Sequence, residues 1–243
     1  MWATAAHYLN DSSECSHGLE LVAEVLREES KKATGEREAA QLSAIAEAAL
    51  SPFLSMCVVS LSSQGDLLSQ WRAYAGNSGG FALGLNSENL RKAADTQGFY
   101  LVECLYTPAA QQEAANQLMR EFREAMAASP EWGPAEQGGC VAAVMRLAMM
   151  LKDESFKEEH EWRLISRPKM VTQLEFREGA SMLVPFFKFL LDEPKDAYLD
   201  SVRIGPTPHR DLSVYAVQML LRKLGLSNAD HMVTSTRATL RNW

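Results

Sequence analysis

The chain has 243 residues, of which 47% are hydrophobic and 23% charged, and a formal net charge of −7. That length can bury a substantial core, and the acidic excess argues against broad electrostatic capture of nucleic acid or an anionic membrane. Four cysteines (Cys15, Cys57, Cys104 and Cys140) lie far apart, without metal spacing or the density of a disulfide framework. No apolar run approaches a membrane span and no basic-then-apolar leader opens the sequence, so a cytoplasmic protein without membrane contact is expected.

In chain order, residues 1–16 read as a polar loop opening into a helix near His17. Ser12 or Ser13 is its cap, and Leu19, Val22, Ala23 and Leu26 sit at helical spacing. Asn10, Asp11 and Glu14 form a polar knot of the kind that Asx turns and caps produce. A second helix is expected over 36–50, stopped before Pro52. Val58–Ser62 reads as a buried strand and 66–75 as a helix. After the Asn77-Ser78-Gly79-Gly80 turn, Phe81–Leu85 reads as a strand, 87–97 as a short helix and 99–106 as a strand. Two long helices follow at 108–128 and 135–152, separated by Pro130 and Gly133-Pro134. Strands near 161–166, 173–178, 181–188 and 199–204, a helix over 209–224 and a strand at Met232–Ser235 complete the chain. Helices and strands mix without a strict βαβ rhythm. The expected fold class is therefore α+β, one domain over 1–243 with a mixed, mainly antiparallel sheet flanked by helices and a helical insertion at about 108–152.

Three stretches carry residues suited to chemistry. Ser60-Leu61-Ser62 puts two hydroxyls on one face of a strand, and a buried strand rarely does this unless that face meets water, a ligand or backbone partners. In the helix that follows, Leu67, Trp71 and Tyr74 share one face. Trp71 and Tyr74 can stack on a planar ring while Arg72 reaches a phosphate; alternatively, Leu67, Leu68 and Trp71 pack the helix into the core. The third stretch is Glu158-Glu159-His160-Glu161-Trp162-Arg163-Leu164-Ile165. If it is a strand, Glu159 and Glu161 project the same way, repel each other, and one holds its proton more tightly than a free Glu. Such a pair suits general acid/base chemistry or the grip of a sugar hydroxyl, and it also reads as a solvated charged turn. Arg163 falls on the face of Glu161, where its fork can orient the carboxylate. His7, His17, His160, His209 and His231 show no metal spacing, and there is neither a phosphate loop nor a nucleophile elbow.

Tyr8-Leu9-Asn10-Asp11-Ser12-Ser13-Glu14, Ser60-Leu61-Ser62 with Asp66–Tyr74, and Gly80–Gly84 together resemble a bacterial domain family of unknown function. Glu159–Ile165, Val202-Arg203-Ile204-Gly205-Pro206 and the ending Ser235–Arg241 continue the resemblance over nearly the whole chain. Ser60-Leu61-Ser62 and Glu159-His160-Glu161 are also similar, in type and order, to the Ser-x-Ser and Glu-x-Glu motifs of ADP-ribosyltransferases. That second resemblance implies an ADP-ribosyltransferase-like fold and NAD as substrate. In it Ser60 supports the nicotinamide–ribose pocket, Glu161 binds the ribose hydroxyl and stabilises an oxocarbenium-like transition state, and Glu159 positions or deprotonates the acceptor. Such enzymes also carry an NAD-gripping Arg or His on a strand before the serine motif. Here His7, His17, Arg27 and Arg37 precede Ser60, so either that strand is missing or His7 serves.

The expected function is an NAD-consuming enzyme of the toxin or defence-effector class, transferring ADP-ribose or hydrolysing NAD. Its partners would be a nucleotide-like small molecule and a protein or nucleic-acid acceptor. Glu161 and Glu159 are the expected catalytic residues. Ser60, Ser62, Trp71, Arg72, Tyr74, Arg163 and His7 are the expected binding residues, most of them converging on one concave site. One rival is a non-catalytic nucleotide- or peptide-binding sensor lined by Trp71, Arg72 and Trp162. Another is a nuclease collecting Mg²⁺ on Asp11, Glu14, Asp66 and Glu161.

Overall fold

The structure, a computed structural model, describes residues 1–9, 12–51, 54–75, 79–129, 131–191, 197–226 and 228–238 (only the backbone at 12–15 and 17). In chain order these form β1 (Trp2–Ala5), α1 (Ser12–Lys32), α2 (Glu36–Ala49), β2 (Leu54–Ser55), β3 (Cys57–Ser62), α3 (Leu68–Tyr74), β4 (Phe81–Leu85) and α4 (Ser87–Gln97). Next come β5 (Phe99–Glu103), α5 (Pro108–Ala128), α6 (Pro134–Ala148), a 3-10 helix (Glu154–Glu159) and β6 (Glu161–Ser166). The remainder is β7 (Lys169–Met170), β8 (Glu175–Glu178), β9 (Leu183–Lys188), β10 (Leu199–Ile204), α7 (Arg210–Lys223), α8 (Ala229–Met232) and β11 (Val233–Ser235). The fold is α+β, with mainly antiparallel strands flanked by helices. Asn10, Asp11, Asn77 and Ser78 lie outside the described residues, as do the side chains of Ser12, Ser13 and Glu14.

Two compact units share the chain, one made of 1–61 and 98–189 and the other of 62–97 and 190–243. In the first, six strands are ordered β5-β6-β3-β1-β9-β8. Its helical layer of α1, α2, α5 and α6 forms one core with the sheet residues Val58 and Ile165. Leu19, Val22, Ala23 and Leu26 are all buried in that core, as their spacing predicts. Gly18 lets α1 approach α6, because a Cβ there would run into the Ala148 carbonyl oxygen.

The opening residues correct the sequence reading. Trp2–Ala5 is a strand in the middle of the sheet, paired antiparallel to β3 on one side and to β9 on the other. Two small residues, Ala3 and Ala5, are its fully buried positions. Alanine is depleted in strands, and four residues give little alternation to detect, so the strand is made by its two neighbours rather than by local propensity.

In the second unit, β10 pairs antiparallel with β4 and parallel with β11. Val202, Ile204 and Val233 pack beneath α7 and α8 with Leu221, Leu226, Ala229 and Met232. Among the described residues no helix is long and apolar enough to cross a membrane.

Candidate functional site

The site grows from the end of α6. That helix ends on the apolar residues Leu147, Ala148 and Met149, the last its C-cap, after which the chain runs alongside Leu105: Leu105 N donates to the Met150 carbonyl (2.7 Å) and Lys152 N to the Leu105 carbonyl (3.1 Å). The Gln111 amide clamps the same two segments, donating to the carbonyls of Leu105 (2.8 Å) and Lys152 (3.0 Å). Pinned in this way, the Lys152 side chain enters a buried space beside the start of β6. Its ammonium donates to Glu161 Oε2 (2.7 Å) and to Glu159, and lies 4.9 Å from the centre of the Phe156 ring.

Arg163 completes the group. Its Nε donates to Glu161 Oε1 (2.8 Å) and its Nη2 to Glu161 Oε2 (3.1 Å), a two-pronged grip. Its Nη1 donates to the Met149 carbonyl (2.8 Å), so the guanidinium also caps the C-terminal end of α6, where positive charge is favoured. The Glu161 backbone N–H donates to the Tyr106 hydroxyl (2.8 Å). Lys152, Glu161 and Arg163 are all buried.

The group balances two carboxylates with two cations. Burial alone would raise the pKa of Glu161. The Arg163 hydrogen bonds and charge, followed by Lys152 and Ser60, outweigh burial and bring it down to about 2. The expectation that one carboxylate of the pair is driven to hold its proton is therefore corrected for Glu161, because cations stand where repulsion would have acted. The strand argument is corrected as well. β6 begins at Glu161, Glu159 ends the 3-10 helix, and His160 between them adopts a left-handed conformation (φ 46°). The two carboxylates meet on Lys152 rather than on a shared strand face.

β3 lies next to β6 in the sheet. Cys57 N donates to the Ser166 hydroxyl at one end of the pair (2.9 Å), and toward the other the Ser60 hydroxyl lies near enough to Glu161 to help lower its pKa. Alternation puts Val58, Ser60 and Ser62 on the face of Ile165, Arg163 and Glu161. That face is covered by helices at Val58 and Ile165 and turns polar beyond them. Ser60 is exposed although Glu161 is not, so it forms the open edge of the site. Ser62 is exposed too, and its hydroxyl accepts from Gln64 N (3.1 Å).

Trp71, Arg72 and Tyr74 belong to the second unit. Trp71 is buried: its Nε1 donates to Asp66 Oδ1 (2.8 Å), and a Cβ added at Gly205 would lie 2.9 Å from its ring. Asp66 also accepts from Arg203 Nη1 (2.8 Å) and the Thr236 hydroxyl. Burial opposes its ionisation, but these bonds hold its carboxyl below the ordinary value. Trp71 is thus a packing anchor, while Arg72 and Tyr74 are exposed on the same short helix. His7 follows β1 and lines a shallow pocket of about 210 Å³ with Ser16, Leu19, Glu20, Leu50 and Met145. Among the described residues no three His, Cys, Asp or Glu side chains are grouped to hold a metal ion.

The structure therefore gathers Ser60, Glu159, Glu161 and Arg163, with Ser62 on the same face. Sequence reasoning missed Lys152 and Tyr106. A lysine closing the apolar run Leu147–Leu151 was a legible signal for the first, whereas nothing local marks Tyr106.

Residues 70–164 match the family model described as Protein of unknown function (DUF2971). This segment carries a domain of unknown function, as the sequence resemblance implies, and it includes Lys152, Glu159, Glu161 and Arg163 but not Ser60. No curated protein and no solved structure matches the chain. Nothing in these comparisons bears out the resemblance to ADP-ribosyltransferases.

Proposed function

We propose that the first unit is an NAD-consuming catalytic unit, transferring ADP-ribose to an acceptor or to water, a chemistry suited to a toxin or defence effector. The observation that carries this reading is the buried Glu161 carboxylate of β6, kept ionised by Arg163 and Lys152, with the exposed Ser60 hydroxyl of β3 near enough to help lower its pKa. When the bond between nicotinamide and ribose breaks, its electron pair leaves with the pyridinium ring, which departs neutral and needs no proton. The ribose carbon becomes cationic. A carboxylate with a pKa of about 2 is useless as a general acid at neutral pH but is a permanent negative charge for that cation. Glu159, more exposed than Glu161 and tied to it through Lys152, is placed to orient the acceptor and take its proton as the acceptor attacks.

Incubation with NAD and detection of free nicotinamide tests the reading. Glu161→Gln should abolish turnover while leaving NAD affinity within about tenfold, since the charge it removes matters most in the transition state. Glu159→Gln should impair transfer more than nicotinamide loss. Nicotinamide release by Glu161→Gln at the wild-type rate removes Glu161 from the mechanism.

A second reading has its own support. Both Glu161 oxygens are already engaged by Arg163 and Lys152, and its side chain is 6% exposed. In that case the group is a structural ion cluster and the unit binds a nucleotide or peptide without chemistry. Wild-type protein that binds NAD and releases no nicotinamide supports this alternative.

A further inference from the structure

The sheet face that holds Ser60, Glu161 and Arg163 continues across three more strands. Thr4 of β1 lies opposite Val58 of β3 and opposite Phe186 of β9. Alternation therefore points Trp2, Thr4, Val58, Ser60 and Phe186 the same way. Trp2 pairs with Lys188, and Arg177 of β8 pairs with Val184, so both cations stand on this face as well. Helices cover its Val58 and Ile165 end, whereas Trp2, at the opposite end, is 57% exposed.

The indole is held in place on this open ground. The Phe186 ring lies 5.1 Å away, tilted by 39°, and the Arg177 guanidinium is 5.5 Å from the Trp2 ring centre. Arg177 is weakly committed elsewhere: its Nη2 reaches the Thr4 hydroxyl at 3.4 Å, and its buried Nε has no hydrogen-bond partner among the described residues. Lys188 pairs with Glu175 at 2.7 Å, but both side chains are half exposed, and such bridges exchange partners cheaply. Neighbouring strands are about 4.8 Å apart, so Trp2 and Ser60, on the same face of adjacent strands, lie within the span of one nucleotide.

We propose that this open end of the sheet face is a nucleotide subsite in which Trp2 stacks the base and Arg177, with Lys188 beside it, takes phosphate. It deepens the NAD reading, and it rests on that reading for the assignment of Ser60 and Glu161 to the ribose end. A planar base matches the indole face and a phosphate matches the guanidinium fork.

Calorimetric titration of the full chain with ADP-ribose and AMP, alongside a nicotinamide-release assay with NAD, tests it. Wild type, Trp2→Phe and Glu161→Gln should bind ADP-ribose, while Trp2→Ala and Arg177→Gln should bind about tenfold or more weakly. Truncating Trp2 also strips packing from Phe186, so Arg177→Gln and Trp2→Phe, which keep that packing, are the decisive variants. Binding that is lost in Arg177→Gln but kept in Trp2→Phe, with no nicotinamide released by wild type, leaves the subsite standing and removes the catalytic reading. Nicotinamide release with an unchanged KM in Arg177→Gln and Trp2→Ala leaves the catalytic reading standing and overturns the subsite. A wild type that binds neither ADP-ribose nor AMP at millimolar concentration also overturns it.

Discussion

Replacing Glu161 by Gln removes one negative charge from a buried group of two carboxylates and two cations. Arg163 and Lys152 then face an amide that offers one acceptor and brings donors of its own, where the carboxylate accepted from both. Breaking a buried ion pair by removing one partner costs about 3–5 kcal/mol. The acidity of the group gives a second figure. Lowering the Glu161 pKa from the ordinary 4.5 to about 2 makes its ionised form worth about 3 kcal/mol to the fold. Because the folded value lies below the unfolded one, this stability is fully present above about pH 4.5 and is lost as the pH falls through about 2. The difference between wild type and Glu161→Gln should therefore be about 3 kcal/mol or more at pH 7 and shrink steadily between pH 4.5 and pH 2. A chain with two compact units need not unfold in one step, so hydrogen exchange at the β6 amides is the local readout, with urea unfolding as a companion. A difference under about 1 kcal/mol at pH 7, or one indifferent to pH, would refute the view that this cluster holds β6 to the end of α6.

Arg163→Lys keeps the charge but cannot grip both Glu161 oxygens and cap the Met149 carbonyl at once, so it should destabilise by about 1–3 kcal/mol in thermal or urea unfolding. Wild-type stability together with wild-type ligand binding would make Arg163 an ordinary residue. Gly205→Ala should cost about 1–3 kcal/mol, because its Cβ would sit 2.9 Å from the Trp71 ring and 3.1 Å from the Gly80 carbonyl oxygen. The accompanying sign is a red-shifted indole emission as Trp71 is pushed outward; an unmoved spectrum at full stability would contradict the packing described.

What the sequence determined by itself was the local structure with a clear period. The spacing of Leu19, Val22, Ala23 and Leu26 specified α1, and the runs at Val58–Ser62 and Glu161–Ile165 specified β3 and β6, because burial of one face imposes a repeat that a few neighbouring residues reveal. β1 was illegible: alanine carries little strand preference, and the hydrogen bonds that make it a strand come from β3 and β9, more than fifty and more than a hundred and eighty residues away. The pairing of Ser60 with Glu161 was readable in kind, since two hydroxyls and two carboxylates in strand-like runs ask for polar company. The rest of that company was decided by the tertiary structure. The left-handed turn at His160 cancelled the alternation expected of Glu159 and Glu161, and the end of α6 brought Lys152 between them. The same is true of Trp71, whose helical face permitted either stacking or packing until Gly205 opened the space that receives its ring. Periodicity records which side of an element is buried; which charges meet there depends on how distant segments close upon one another, and that set the acidity of Glu161.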